Sequence, residues 1–90
     1  MDRSREYEEL ANAIVAQAAR DYREACRALV RIRDSPALDP KRIEWERQRN
    51  SCLTFFHSEW YKKLTGIDPD YLLDKLNNEI LEYAEQRSKT

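Results

Sequence analysis

Apolar side chains return every three or four positions from Tyr7 to Ile32, through Leu10, Ala11, Ile14, Val15, Ala18, Tyr22, Ala25, Cys26 and Leu29. This spacing keeps one face of a helix apolar for about seven turns and predicts a first helix that ends near Arg33. Asp2 or Ser4 offers an N-cap, and Glu6, Glu8 and Glu9 place negative charge where the helix dipole favours it. At 1.5 Å per residue such a helix is roughly 45 Å long, so something must cover its apolar face. Ala11, Ala18 and Ala25 form a line of small residues along which a second helix, from this chain or another copy, can approach closely.

Two prolines in the stretch Asp34 to Pro40 interrupt the pattern, and Asp39-Pro40 reads as an N-cap followed by proline at the first helical position. Leu38 and Ile43 then stand where a hydrophobic staple forms. The second helix is predicted to run unbroken to Leu64, polar from Lys41 to Ser51 and strongly apolar from Cys52 onward. At 100° per residue its core stripe is Leu53, Phe56, Trp60 and Leu64, flanked by Trp45 and Cys52, with Arg42, Glu46 and Arg49 continuing it toward the amino end. Gly66 is placed to end this helix in a left-handed conformation, with Ile67 as the accompanying apolar contact. Asp68-Pro69 repeats the earlier start signal, and Ile67 and Leu72 repeat the staple. A third helix then runs to about Gln86, burying Leu72, Leu73, Leu76, Ile80 and Tyr83, and the tail Arg87 to Thr90 is expected to fray.

The expected fold is therefore all-α: a three-helix bundle with two long antiparallel helices and a shorter third helix, in a single domain spanning residues 1–90. Composition agrees, since one glycine and three prolines leave little loop material among many good helix formers. A chain this short buries only about 60% of the surface its unfolded form exposes, which makes burial against a partner a natural source of further stability. Two cysteines, Cys26 and Cys52, are too few for a disulfide scaffold, and both fall in helical patterns, which implies reduced thiols and a cytoplasmic setting. No apolar stretch approaches the roughly 20 residues that cross a bilayer, and no signal peptide is visible, so neither secretion nor membrane insertion is expected.

Charge is balanced overall, with 16 basic and 17 acidic residues, but it is unevenly distributed. Arg20, Arg23, Arg27 and Arg31 recur at helical spacing and make a basic ridge predicted to lie opposite the apolar side of the first helix. Their guanidinium forks suit phosphates or carboxylates, which makes them the candidate nucleic-acid surface; a solvated face laced by Asp21 and Glu24 is the plainer reading. The last helix is acidic, and Asp70, Asp74 and Glu79 are candidate partner-binding residues. Phe55 sits about 160° from Leu53 on the wheel, so a helix that buries Leu53 turns Phe55 outward, with Tyr61 on one flank. That pair marks a candidate dimer contact or docking site, against the reading in which neighbouring helices bury both faces.

Other chemistries find too few residues. His57 and Glu59 form a bare His-x-Glu with Cys52 nearby, short of the three or four ligands of a zinc site. No positioned base accompanies either cysteine, and no Gly-rich loop cradles phosphate, so neither enzyme activity nor a cofactor is expected. The corner at Gly66 has the outline of a helix-turn-helix, but a recognition helix that opens Asp68-Pro69-Asp70 and continues to Asp74 and Glu79 would meet phosphates with acids.

The segments Tyr7 to Ala25 (YEELANAIVAQAARDYREA) and Phe55 to Leu76 (FFHSEWYKKLTGIDPDYLLDKL) resemble small uncharacterised helical proteins of phages and mobile elements of Gram-positive bacteria. The match covers about half of the chain and is carried mainly by the FF-x-SEW and Asp-Pro/Asp-x-x-Leu-Leu patterns. What the resemblance implies is a setting: a bacterial host cytoplasm and action by binding a protein target, including inhibition of a defence system in the manner of an anti-CRISPR. The reading from sequence is thus a non-enzymatic interaction protein. A nucleic-acid-associated protein using the arginine ridge, and a structural homodimer or assembly adaptor, stand as alternatives.

Overall fold

The computed structural model describes residues 3–89, the side chain of Arg3 aside. Among these residues there are four helices and no strand: α1 (Arg3–Arg31), α2 (Pro40–Phe56), α3 (Glu59–Leu64) and α4 (Pro69–Ser88). No helix is long and apolar enough to cross a membrane. Ser4 lies inside α1 rather than capping it, while Asp2 and Thr90 lie outside the described residues. The expected frayed tail is helical as far as Ser88, and the Lys89 amide closes the last turn on the carbonyls of Glu85 and Gln86.

The two Asp-Pro starts build nearly identical caps. Asp39 has φ −59°, ψ 124°, and its carboxylate accepts from the Lys41 amide at 2.9 Å; Asp68 has φ −60°, ψ 124° and accepts from the Asp70 amide at 2.9 Å. In each case the side chain satisfies an amide that the first helical turn leaves unpaired, while proline removes another. No buried staple accompanies the first of them, because Leu38 remains 84% exposed.

The predicted single helix from Pro40 to Leu64 is divided at His57-Ser58, which makes four helices rather than three. The amides of His57 and Ser58 turn back onto the carbonyls of Leu53 and Phe55, at 3.2 and 3.0 Å. Ser58 adopts extended geometry, donates its hydroxyl to the Phe55 carbonyl at 2.6 Å and accepts from the Tyr61 amide at 3.1 Å. One side chain thus stops α2 and caps α3. Gly66 also departs from expectation: no glycine has positive φ, and a Cβ there would meet nothing within 4 Å. The helix ends on extended Thr65 instead (φ −153°, ψ 151°), whose hydroxyl accepts from the Ile67 amide at 3.2 Å.

One continuous core joins Ala11, Val15, Ala19, Tyr22 and Cys26 of α1 to Cys52 and Phe56 of α2, Tyr61 and Leu64 of α3, and Leu73 and Leu76 of α4. Alanines at 11, 19, 25 and 28 are buried, so the neighbouring helices lie close to the α1 backbone. Full burial of Phe56 or Leu76 contributes about 2 kcal/mol each from removal of apolar surface. Polar side chains fix the arrangement. Gln48 donates to the Asp21 carbonyl at 2.9 Å, Arg42 donates to the Ser35 carbonyl at 2.8 Å, and the Tyr22 hydroxyl donates to Asn77 at 2.6 Å. The molecule measures 52 × 27 × 21 Å, and its 15.4 Å radius of gyration exceeds the about 12 Å of a compact chain of this length. The excess comes from α1, about 43 Å long against about 25 Å for α2, whose early turns carry exposed Tyr7 and Leu10.

Candidate protein-interaction site

The break at Ser58 creates the site. On a continuous helix Phe55 would stand about 140° from Trp60 and could not meet it. With the axis redirected, Phe55 meets Trp60 edge-on at 5.5 Å and Tyr61 edge-on at 5.7 Å between ring centroids, and also packs on Phe56 at 5.7 Å. Phe56 in turn meets Tyr61 at 5.8 Å and Tyr22 at 6.1 Å. The spacings and edge-to-face angles are those that aromatic quadrupoles favour. The cluster is graded from inside to outside: Phe56 and Tyr61 are fully buried, Phe55 is half-buried, and Trp60 is 55% exposed.

Two expectations are corrected. Trp60, placed in the core stripe, faces outward, and Tyr61, placed on a surface flank as a partner-binding residue, is 1% exposed. Both errors have one cause, since the change of axis after Phe56 exchanges the two positions. Phe55 is neither turned outward nor engulfed; it joins the core to the surface ring. The Tyr61 hydroxyl has no hydrogen-bond partner among the described residues, and burial, reinforced by the nearby Asp68 carboxylate, raises its pKa above the ordinary value.

Beside this pair, Ile14, Gln17, Ala18 and Asp21 of α1 complete a shallow notch of about 260 Å³. Phe55, Ile14 and Ala18 give it apolar walls, and Trp60 forms its rim. Gln17 and Asp21 supply a polar edge, held by a hydrogen bond of 2.9 Å between them. Leu10, one turn before Ile14 on the same face of α1, is 61% exposed. Near the break, the His57 ring lies 3.8 Å from the exposed Asp70 carboxylate, and Asp74 is exposed one turn further along α4.

The arginine ridge has another role. It borders α4 rather than open solvent opposite the core. Arg23 forms a two-pronged pair with Glu79, at 2.6 and 3.4 Å, which draws the Glu79 carboxyl below its usual pKa mainly through the hydrogen bond. Arg27 lies over the Tyr83 ring at 5.7 Å, and Arg31 donates to the Tyr83 hydroxyl at 3.2 Å. Three of the four arginines therefore fasten α1 to α4, and Glu79 is engaged within the fold. Arg20, the fourth, is exposed and donates to Gln17 at 2.9 Å.

Cys26 and Cys52 are buried free thiols. Burial pushes Cys52 up to about 11, with Asp21 adding to the effect, and burial likewise raises Cys26. Both are protonated at neutral pH, whereas the reactive form of cysteine is the thiolate. No family model, curated protein or solved structure matches this chain.

Proposed function

We propose that the chain is a non-enzymatic interaction protein: a helical bundle whose long helices α1 and α2 run antiparallel, presenting the Trp60 notch as a protein-docking surface. The observation that carries this reading is Trp60. A large aromatic ring that the fold holds edge-on against Phe55, yet leaves more than half exposed above an apolar hollow, is the side-chain type that anchors protein contacts. Asp70 and Asp74, exposed on α4, form a second surface whose acidic character suits a basic partner. The resemblance to small phage proteins supports a target in the bacterial host cytoplasm, with a defence system as the class of target that such a protein inhibits.

Affinity capture from bacterial lysate, with and without nuclease, tests the proposal when run on the wild type, Trp60→Ser and Asp70→Lys/Asp74→Lys. Nuclease-resistant retention of one protein, lost in a variant that still folds, is the expected result. Retention that disappears with nuclease and with Arg20→Glu, while both surface variants bind normally, would favour the nucleic-acid reading instead.

A further inference from the structure

We infer that a second hollow, toward the carboxyl end of α1, binds a small amphiphilic carboxylate, with Arg33 and Arg49 taking the charged head and α1 and α4 the hydrocarbon body. The hollow measures about 300 Å³, at the small end of the range of ligand pockets. Cys26, Leu29 and Val30 of α1 line it on one side, and Ile80 and Ala84, one turn apart on α4, on another. The side chains present explain why this space is open. One turn inward, the Tyr22 hydroxyl reaches Asn77 at 2.6 Å and ties α1 to α4. Beyond that tie, Cys26 and Ala84 are too small to fill the gap. One turn before Cys52 and Leu53, α2 supplies Arg49 where an apolar side chain would complete the core. Leu29, Val30 and Ile80 are in consequence only half-buried.

The two cations decide the class of ligand. Elsewhere the arginines are engaged: Arg23, Arg42 and Arg47 each pair with a carboxylate, and Arg27 and Arg31 meet Tyr83. Among the described residues neither Arg33 nor Arg49 has an acidic partner, and no acid lines the hollow. Arg33 is exposed on the turn that follows α1, where its amide donates to the Val30 carbonyl at 3.4 Å. Arg49 is half-buried and makes only two long contacts, of 3.4 Å, to its neighbour Asn50. Its charge is felt inside: burial raises the Tyr22 pKa to about 12 and also raises Cys26, and Arg49 opposes both shifts. The hollow thus sets guanidinium forks beside a hydrocarbon surface and a neutral thiol. A carboxylate matches the forks, and an alkyl tail displaces water from Leu29, Val30 and Ile80. An inorganic anion would leave that apolar lining unused. The site is separate from the Trp60 notch, so it stands or falls independently of protein docking there.

Calorimetric titration of the full chain with butanoate, hexanoate, octanoate and octanol, beside methyl NMR, tests the assignment. Octanoate is expected to bind, with shifts at Leu29, Val30 and Ile80, and affinity should rise about threefold per added methylene. Octanol, with the same tail and no charge, should bind at least about tenfold more weakly. Arg33→Gln/Arg49→Gln should reduce octanoate to the level of octanol with thermal stability unchanged, since neither arginine holds an ion pair. Ala84→Leu, which fills the hollow, should abolish binding in a chain that melts no earlier than the wild type. No octanoate binding up to millimolar concentration would overturn the proposal. So would equal affinity for octanol, indifference to the double arginine variant, or shifts centred on Ile14 and Trp60.

Discussion

The two ends of α1 face different surroundings. From Tyr22 to Arg31 the helix is cross-linked: Tyr22 is tied to Asn77, Cys26 lies in the core with Cys52, and Arg23, Arg27 and Arg31 reach Glu79 and Tyr83 on α4. From Tyr7 to Ala18 the same heptad-like pattern continues, but its cover is the six-residue α3 and the aromatic side chains around the break. Equal apolar periodicity thus gives a cross-linked region at one end and an aromatic-rimmed notch at the other. Periodicity reports which face of a helix is apolar, and not what covers it.

Substitutions should separate the two ends, and the largest effect belongs to the core residue they share. Phe56→Ala is expected to cost about 3–5 kcal/mol in chemical denaturation, because the ring has no exposed surface and no neighbour can collapse into its space without disturbing Tyr22 and Tyr61. Ser58→Ala removes both the stop of α2 and the cap of α3. Its expected cost is about 1 kcal/mol, together with a change in near-ultraviolet circular dichroism as Trp60 loses its edge-on position against Phe55.

At the cross-linked end, Glu79→Gln should cost about 0.5–1 kcal/mol at neutral pH, since the pair it breaks is well aligned but partly solvated. The folded-state pKa of Glu79 is depressed, so its contribution is complete above the unfolded value near 4.5 and is lost as pH falls through the folded value. Urea unfolding of the wild type should therefore show an acid loss below about pH 4.5 that is smaller in Glu79→Gln. The smallest effect is expected from Tyr61→Phe. The hydroxyl is buried without a partner, so its removal should leave stability within about 0.5 kcal/mol of the wild type or slightly raise it, as measured by thermal melts.

Much of the fold could be read from the chain. The extent of α1, both Asp-Pro caps and the inward face of α4 at Leu73 and Leu76 follow from spacing and from side chains that act on their own backbone. The break at Ser58 did not emerge because an unbroken stripe through Leu53, Phe56, Trp60 and Leu64 looks helical on the wheel. Its signal was weak but present: Phe55, Phe56 and His57 are indifferent helix formers, and Ser58 followed by Glu59 is an N-cap with an acidic first turn. On an unbroken wheel Trp60 falls in the core stripe and Tyr61 on its flank, the reverse of their burial in the fold. The use of Arg23 and Arg27 was hidden for another reason, because a charged helical face looks the same whether it meets water or an acidic neighbour some fifty residues away.

Denaturant unfolding of Trp60→Ser beside Phe56→Ala, at a chain concentration where the protein is monomeric, tests the central claim most directly. Trp60 should lower stability by less than about 1 kcal/mol while Phe56 lowers it several-fold more, as expected of a ring held at the surface for contact rather than for the fold. Comparable losses for the two would contradict the account, because Trp60 would then be part of the core.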